Sequence, residues 1–448
     1  MVGGLSRSIV DDQGFTWDLG GHVIFSHYEY FDRLLDRVLG KGAEAWIEHE
    51  RESWVWIRQR FVPYPFQNNL WRLPEEELVK CLEGLVDASR GPGAVGARTF
   101  EEWIRGIFGA GIAEIFMEPY NFKVWAHKPA QMGCSWMGER VATVDLKRAL
   151  RNVVMRRDDL GWGPNARFRY PLRGGTGAIW SALGRALPAE HVHLGKHVTR
   201  IDAERHVVHF ADGSSEPYAR LISTLPLDLL IKMLDNLPAS LNDADRALLA
   251  RHTELCYSSS HIIGIGVAGA KPDSLATKCW MYFPEDDCPF YRATVFSNYS
   301  PYNVPRPGEQ WSLMLEVSES RHKPVDLATV VQDTIQGCIN TGLLPPGSDI
   351  VSRWHLRLEH GYPTPYLGRD ELVDRLLALL RDKLDIWSRG RFGAWKYEVA
   401  NQDHSCMQGV EAADNVLFGT EELTLTHPNV VNASKARMRT GVAFHQDY

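Results

Sequence analysis

The segment Gly20-Gly21-His22-Val23-Ile24-Phe25-Ser26 decides the fold class, because its paired glycines are typical of a loop that approaches a bound dinucleotide. It comes very early in the sequence, which begins Met1-Val2-Gly3-Gly4-Leu5. A complete βαβ unit with its phosphate-binding turn needs about 30 residues, and the G-x-G-x-x-G signature belongs to the first strand-to-helix turn of that unit. We therefore predict an α/β protein with a Rossmann-like domain that is incomplete, because the first βαβ unit is missing from this sequence.

The composition limits the classes of function. The chain has 448 residues, 44% hydrophobic and 23% charged, which is typical of a globular protein of two or three domains. A net charge of −7 argues against a nucleic-acid partner, and no apolar run approaches the ~18 residues of a membrane span. No secretory signal is visible, and the seven cysteines are scattered without C-x-x-C spacing. We expect a cytoplasmic protein with reduced thiols, no metal site and no membrane partner.

Hydrophobic periodicity predicts blocks of helices and strands. Residues 1–70 are predicted to form loops and short strands. Helices are predicted at residues 74–86, after a Thr99/Glu102 capping box, and at 146–154, 327–339 and 372–384. Strands are predicted at residues 167–171, 198–201, 207–210, 221–224, 261–267, 280–283, 293–297 and 311–317. This order predicts a discontinuous α/β domain (1-70, 166-255 and 385-448), a helical insertion (71-165) and an antiparallel sheet domain for the substrate (256-384).

Two glycine-rich segments could be mistaken for a phosphate-binding loop. Gly264, Gly266 and Gly269 form the one literal G-x-G-x-x-G of the chain, but they lie inside an apolar strand pattern and no helix follows. The segment Arg173-Gly174-Gly175-Thr176-Gly177 is better placed, between a strand and an amphipathic stretch. Its spacing is not the dinucleotide fingerprint, so a packing turn is at least as good an interpretation.

Longer motifs are spread along the whole chain. They are residues 20–25, Tyr64-Pro65-Phe66-Gln67-Asn68, Pro119-Tyr120-Asn121-Phe122-Lys123-Val124-Trp125, Gly138-Glu139-Arg140-Val141, Trp162-Gly163-Pro164-Asn165, residues 279–284, residues 288–292, residues 361–365, residues 390–393 and residues 395–404. Together these motifs resemble the UDP-galactopyranose mutase family of the eukaryotic type, from Gly3 to about Asn432. The resemblance implies a flavoprotein-type Rossmann-like domain with an inserted helical domain and an antiparallel β-sheet domain.

The resemblance also implies a reaction. The family interconverts UDP-galactopyranose and UDP-galactofuranose without net redox change, and reduced FAD acts as a covalent catalyst. Arg140 and Arg292 match two arginines that bind the diphosphate, for which a forked, permanently charged guanidinium is suited. His22 matches a histidine on a mobile loop against the flavin. The implied catalytic residues are therefore His22, Arg140 and Arg292, with UDP-galactose and UDP-galactofuranose as substrates and NAD(P)H as the reductant; assembly into a homo-oligomer is left open.

Further site residues follow from the same resemblance. The implied substrate-binding residues are Tyr64, Gln67, Phe116, Asn121, Trp125, Asn165, Tyr282, Arg292, Tyr362, Arg391, Tyr397 and Asn401. The implied cofactor-binding residues are Gly20, Gly21 and His22 in the first loop, and Gly409, Glu411, Asp414 and Asn415 in a segment where the start of a helix meets the flavin and its pyrophosphate. No metal ligand is implied.

The missing first unit leaves three interpretations open. In the first, the sequence is a truncated reading frame of an ordinary mutase. In the second, it is a flavin-free relative that serves another sugar-nucleotide isomerisation or only binds a UDP-sugar, and in the third, it is a mutase that holds FAD weakly through the remaining contacts. Because the absent unit carries the adenosine and most pyrophosphate contacts, we expect this chain to retain little FAD. A flavin amine oxidase would need a hydrophobic substrate cage, which the paired arginines with three tyrosines disfavour.

Overall fold

The computed structural model describes residues 2–137, 141–160 and 166–433. The strands are β1 (Ser8–Val10), β2 (Thr16–Asp18), β3 (Trp46–Glu50), β4 (Ser53–Ile57), β5 (Arg60–Pro63), β6 (Arg167–Pro171), β7 (Val198–Asp202), β8 (Val207–Phe210), β9 (Ser215–Pro217), β10 (Leu221–Ser223), β11 (Leu234–Asp235), β12 (Tyr257–Ala268), β13 (Trp280–Tyr282), β14 (Arg292–Val295), β15 (Gln310–Glu319), β16 (Ile350–Pro363) and β17 (Ile386–Ser388). The helices are α1 (Glu29–Leu39), α2 (Glu75–Arg90), α3 (Phe100–Ile112), α4 (Glu118–Trp125), α5 (Leu146–Met155), α6 (Gly177–Ala186), α7 (Leu227–Lys232), α8 (Asp243–Ala250), α9 (Phe296–Tyr299), α10 (Val330–Asn340), α11 (Arg369–Leu384), α12 (Gln402–Phe418), α13 (Leu423–Thr426) and α14 (Pro428–Ala433).

The largest sheet has the strand order β16-β12-β15-β14-β13-β4-β5. Its strands pair antiparallel except β13 and β4, which run parallel. The strands predicted at 261–267 and 311–317 are confirmed within it, and those predicted at 280–283 and 293–297 are confirmed as far as Tyr282 and Val295, since α9 begins at Phe296. Two further strands, β4 and β5, join it from the N-terminal part of the chain, so the sheet extends beyond residues 256-384.

The literal G-x-G-x-x-G motif serves packing inside this sheet, as its strand context predicts. Gly264 and Gly266 lie in the buried strand β12. A Cβ atom at Gly264 would stand 2.6 Å from the ring of Trp17, and one at Gly266 would stand 2.5 Å from the ring of Phe15. The two glycines therefore make room for the stacked rings of Trp17 and Phe15, and they lie inside a strand rather than at a strand-to-helix turn.

Parallel pairing of the dinucleotide-binding type is present between β10 and β17. Leu221 is in register with Ile386 and Ser223 with Ser388. Ile386 belongs to a core that α11 fills with leucines, and helix α12 also contacts β10. A parallel pair flanked by helices is the expected arrangement of an α/β domain, and the mixed α/β fold class is confirmed.

The helical region between residues 70 and 160 agrees closely with its sequence pattern. Helix α2 begins directly after Pro74, and the capping box of α3 is formed on both sides, since Thr99 Oγ1 accepts from the backbone N–H of Glu102 at 3.1 Å and the Glu102 carboxylate accepts from Thr99 N at 3.2 Å. The prediction for residues 1–70 is wrong in one respect. They contain helix α1, whose Phe31 and Leu35 are fully buried.

Within the described ranges, no helix combines the length and the apolar character that crossing a bilayer requires.

Candidate functional site

A cavity of about 890 Å³ lies where the large sheet, the first loop and the start of α12 meet. Its lining comes from residues 3–7, 21–25 and 27, from Tyr64, from Trp280 and Tyr282 of β13, from Arg292 and Thr294 of β14, from residues 358–360 of β16, and from residues 390–392, 397, 400–402, 405 and 406. Cavities of this size hold cofactors and drug-sized ligands. The cavity therefore collects motifs from both ends of the chain.

Residues 19–28, which we call the histidine loop, form one wall of this cavity. Gly20 has φ +139, a value that glycine adopts readily, and the backbone N–H of His22 donates to the Gly20 carbonyl at 2.7 Å. This tight turn places the His22 imidazole at the cavity, with its Nδ1 buried and without a hydrogen-bond partner among the described residues. Burial, with Arg391 and Arg292 nearby, lowers the pKa of His22 to about 4, against an opposing effect of Glu316. The imidazole is therefore neutral near pH 7.

Arg292 is held by the carboxylate of Glu316, which is not among the site residues predicted from the sequence. Glu316 of β15 is buried and accepts hydrogen bonds from Arg292 Nε at 2.7 Å and Nη2 at 2.6 Å. It also accepts from the Tyr291 hydroxyl at 2.7 Å and from the backbone N–H of Gly21 at 3.0 Å. Burial raises the pKa of Glu316, but the charge of Arg292 and these donors together lower it below its ordinary value. One ionised carboxylate thus fixes the guanidinium and the histidine loop.

A cluster of aromatic rings lies beside the cavity and reaches it at Tyr397. The Trp125 ring of α4 lies 5.6 Å from Tyr362 and 4.7 Å from Tyr397, in edge-to-face geometry. The Arg391 guanidinium lies over both tyrosine rings, at 4.7 Å from Tyr362 and 5.4 Å from Tyr397. Arg292 Nη2 donates to the Tyr362 hydroxyl at 3.4 Å. Arg292, Arg391 and Tyr397 therefore meet at the cavity, with Tyr362 in contact with both guanidinium groups, and this set suits a ligand with several negative charges.

A second group of aromatic rings extends from Tyr282 of β13 into the helical region. The Tyr282 ring lies 5.0 Å from Tyr64 and 5.3 Å from Tyr120, and Tyr120 stacks on Phe116 at 5.5 Å. Burial raises the pKa values of Tyr64 and Tyr120 above their ordinary range, so both hydroxyls remain protonated donors.

Gln67 and Asn121 lie in the same helical region and bind backbone carbonyls. Gln67 Nε2 donates to Ala142 O at 2.6 Å, and Asn121 Nδ2 donates to Met117 O at 2.7 Å. Gln67 thus contacts the segment that directly follows Arg140 in the sequence.

The second cofactor segment is placed differently from the expectation. Helix α12 begins at Gln402, so Gly409, Glu411, Asp414 and Asn415 lie in its later turns, and the prediction that they stand at a helix start is wrong. Glu411 accepts from the N–H and the hydroxyl of Thr424, both at 2.9 Å, and burial raises its pKa to about 7. The part of α12 that lines the cavity is Gln402, Ser405 and Cys406, together with Ala400 and Asn401 just before the helix.

Two predicted residues, Arg140 and Asn165, lie outside the described residues. The predicted residues 409, 411, 414 and 415 lie in the later turns of α12, and Tyr362 lies in β16 against Arg292 and Arg391. The other predicted site residues lie at or beside the cavity or in the helical region that adjoins it. Glu316 was missed, although a single acidic residue within the apolar strand pattern of residues 311–317 is a signal that could have found it. The structure also adds Trp280 and Arg51 to the lining, where the Arg51 guanidinium lies 5.5 Å from the Trp280 ring.

The fold and the site define a flavoprotein of the amine-oxidase class. Residues 1–257 match the family described as flavin containing amine oxidoreductase. Among solved structures, a reduced UDP-galactopyranose mutase is 52% identical, superposes with a TM-score of 0.91, and is matched over 96% of this chain and 90% of that chain. The chain belongs to the UDP-galactopyranose mutase family, as its motifs predicted.

Two more distant structures share only the fold. A putative protoporphyrinogen oxidase from an Exiguobacterium species has 15% identity and a TM-score of 0.63 over 92% of this chain and 90% of that chain. A fatty acid isomerase from P. acnes has 12% identity and a TM-score of 0.57 over 93% of this chain and 90% of that chain. The cofactor implied by the resemblance, FAD, is confirmed for this family.

The residues at the cavity fit a flavin. The buried, unpartnered Nδ1 of His22 offers a hydrogen-bonding atom to a ring placed against the histidine loop. Glycine at position 21 lets the histidine loop approach the Arg292–Glu316 pair, since a Cβ there would stand 3.3 Å from the Arg292 guanidinium. The first turn of the 17-residue helix α12 faces the same space, and its free N–H groups and dipole favour an anionic group.

Proposed function

We propose that this chain is a UDP-galactopyranose mutase that interconverts UDP-galactopyranose and UDP-galactofuranose. The observation that carries this proposal is the 52% identity to a reduced UDP-galactopyranose mutase over 96% of this chain. The placement of Arg292, Arg391 and Tyr397 at one cavity, with Tyr362 against both arginines, supports it, because this set suits a sugar nucleotide diphosphate.

The diphosphate is proposed to bind at the two-arginine side of the cavity. Arg292 presents a guanidinium that Glu316 already orients, so little side-chain entropy is lost when the ligand binds. Tyr282, Tyr362 and Tyr397 offer hydroxyl donors to phosphate oxygens. These groups stabilise the negative charge that grows on UDP as its bond to the anomeric carbon breaks. Arg140 is proposed as the second diphosphate arginine.

The uridine end is proposed to lie among Tyr64, Gln67, Phe116, Asn121 and Trp125. Phe116 and Trp125 are both buried and can stack on a base, and Gln67 and Asn121 carry amides that can read its polar edge. In the described structure these amides bind backbone carbonyls, so they are already oriented by helices and loops of the insertion.

The flavin is proposed to lie against the histidine loop and the first turn of α12. Gly20, Gly21 and His22 contact it from one side, Asn401 and Asn165 lie toward the sugar, and the helix contribution moves from residues 409–415 to residues 401–406. When bound in its reduced form, the flavin supplies the nucleophile for the anomeric carbon. The neutral His22 imidazole can donate or accept a hydrogen bond there without adding charge to the site.

Two further proposals concern the reductant and the cellular compartment of the enzyme. NAD(P)H is proposed as the reductant of the flavin. Size-exclusion chromatography with light scattering will show whether the chain forms a homo-oligomer. A reducing compartment such as the cytoplasm is proposed, supported by the seven cysteines, which are all free thiols.

The test is a conversion assay on the purified full chain with added FAD and dithionite. Chromatography should show UDP-galactopyranose formed from UDP-galactofuranose, and flavin absorbance after desalting reports the cofactor retained. Arg391→Met should lose most activity, whereas the exposed Arg353→Met should retain it. Binding of UDP in calorimetry without any conversion by flavin-loaded protein would contradict the enzyme proposal and favour a non-catalytic UDP-sugar-binding protein.

A further inference from the structure

The histidine loop is held to the rest of the protein at three places. Gly21 donates to Glu316, as described above, and Ile24 exchanges backbone hydrogen bonds with Arg169 of β6, at 3.2 and 3.4 Å. The third place is His27, near the end of the loop. Its backbone N–H and its Nδ1 both bind one oxygen of Asp403, at 2.9 and 2.8 Å. The loop therefore ends in a side-chain anchor on helix α12.

This anchor is part of a buried cluster of one carboxylate and two imidazoles. The other oxygen of Asp403 lies 3.3 Å from His404 Nδ1, and the rings of His27 and His404 are 4.6 Å apart. The side chains of Asp403 and His404 are fully buried, and that of His27 is nearly so. Phe25 and Tyr28 close the cluster with edge-to-face contacts to His27 and His404 respectively. The carboxylate is therefore shielded from solvent.

The carboxylate is ionised at all ordinary pH values. Burial raises its pKa, but the neighbouring charge of His404 and the hydrogen bonds from His27 outweigh burial and lower the pKa of Asp403 to about 2. A buried ion holds its hydrogen-bond partners firmly, because releasing one leaves more of the charge without compensation, and both hydrogen bonds to Oδ2 of Asp403 come from His27. Asp403 also stands in the first turn of α12, where the helix dipole favours a negative charge.

Both ends of the anchor adjoin the cavity, while Asp403 itself stays behind it. His22 and His27 line the cavity from the loop, and Gln402 and Ser405 line it from the helix, but Asp403 is absent from the lining formed by the described residues. The cluster thus joins the cavity wall that carries His22 to the wall formed by the start of α12.

We propose that Asp403 is a positioning residue which, through His27, fixes the histidine loop against the first turn of α12 and so determines where His22 stands in the cavity. The inference rests on the proposed function only in assigning His22 to the flavin. The proposal predicts that His22 leaves its buried position when the contact between His27 and Asp403 is removed.

The experiment reads His22 directly, in the full chain without added sugar nucleotide. Histidines are labelled with ¹³C at Cε1, the His22 signal is assigned by its loss in His22→Gln, and each protein is titrated from pH 5 to 8. The wild-type His22 signal should stay that of a neutral imidazole, since burial first and then Arg391 hold its pKa near 4, with Glu316 and Arg292 as the other charged groups that face it. In Asp403→Asn and His27→Leu the signal should titrate toward the ordinary 6.5.

Two matched variants separate positioning from general damage. His27→Asn keeps an amide N–H near the place of Nδ1 and should leave His22 neutral down to pH 5. Asp36→Asn removes the 2.8 Å contact of Arg169 beside the same loop without touching the cluster, and it should also leave the His22 titration unchanged. If Asp403→Asn does not fold, the contrast between His27→Leu and His27→Asn decides the question.

Kinetics supply the second readout. In a flavin-loaded preparation, Asp403→Asn and His27→Leu should lower kcat about tenfold or more, while KM for the UDP-sugar changes less than about twofold, because a small displacement of a catalytic group costs rate rather than binding. A His22 signal that stays neutral in both folded variants would overturn the proposal. Failure of all proteins to convert UDP-galactofuranose would instead contradict the proposed function and leave the titration result standing.

Discussion

Replacement of Arg292 by methionine should destabilise the protein through the carboxylate that remains. Glu316 loses two of its four hydrogen-bond donors and the only cation that contacts it within the described structure, while its side chain is only 2% exposed. Breaking a buried ion pair by removing one partner costs about 3–5 kcal/mol. The Arg292 side chain is 21% exposed, and Glu316 keeps Tyr291 and Gly21 as donors, so we expect a loss near the lower end, about 3 kcal/mol.

The loss should depend on pH in a direction that identifies its cause. In the wild type the folded pKa of Glu316 lies below its ordinary 4.5, so its contribution to stability is present above that value and is lost only as the pH falls through the folded pKa. Without Arg292, burial dominates and raises the folded pKa, so the variant loses stability as the pH rises from about 4.5 through the new folded pKa. The difference in unfolding free energy should therefore be larger at pH 7.5 than at pH 5.

Urea titrations at both pH values and UDP calorimetry test this reasoning. Arg292→Met should also weaken UDP binding by roughly 1.5–3 kcal/mol, the range for a charge-assisted hydrogen bond. The double variant Arg292→Met/Glu316→Gln removes the buried charge and should recover most of the stability but none of the UDP affinity. Arg251→Met, at an exposed pair with Glu254, should change neither quantity appreciably. An equal destabilisation of the single and double variants at both pH values would refute the role given to Glu316.

Three other outcomes are expected. The contribution of Asp18 to stability should fall by about 3 kcal/mol as the pH rises from about 4 to 6, because burial raises the pKa of Asp18 from 3.8 to about 6, and the difference between the wild type and Asp18→Asn in urea titrations should show this loss. Gly175→Ala should destabilise the fold more than Gly195→Ala in the same assay; both have positive φ, but only at Gly175 would a Cβ meet Ser8 Oγ, at 2.3 Å. Trp125→Leu should weaken UDP binding two- to tenfold in calorimetry. The variant loses about 0.5–1.5 kcal/mol of aromatic contact with Tyr362 and Tyr397, which are proposed to bind the diphosphate.

The elements of the fold that carry local signals could be predicted from the sequence. The capping box at Thr99 and the apolar strand that contains Gly264 each record a local preference, and each forms as expected. Helix α1 was missed although Phe31 and Leu35 lie on one helical face, because its short pattern stands among the loops and strands near the N-terminus. The parallel contact of β13 with β4 depends on pairing between segments far apart in the chain, which no local pattern records.

The residues of the candidate site also differ in whether the sequence could predict them. Residues within long motifs, such as Arg292 and Tyr397, could be named in advance because the motif itself carries the resemblance. Glu316 lies in a strand without such a motif, and its role depends on which strand pairs with β14. The helix start was placed near Gly409 although α12 begins at Gln402, because a match to a family segment says nothing about where the preceding loop ends.

Glu316 gives the structure a physical connection between its two predicted half-sites. The same carboxylate accepts from Arg292, proposed for the diphosphate, and from Gly21 in the loop that carries His22, proposed for the flavin. A diphosphate that binds Arg292 would therefore share this guanidinium with Glu316, whose Oε1 also holds the histidine loop. The loop keeps its two other attachments, at Ile24 and at His27. An acidic residue stands beside a site suited to an anion because it orients the cation that the anion would bind.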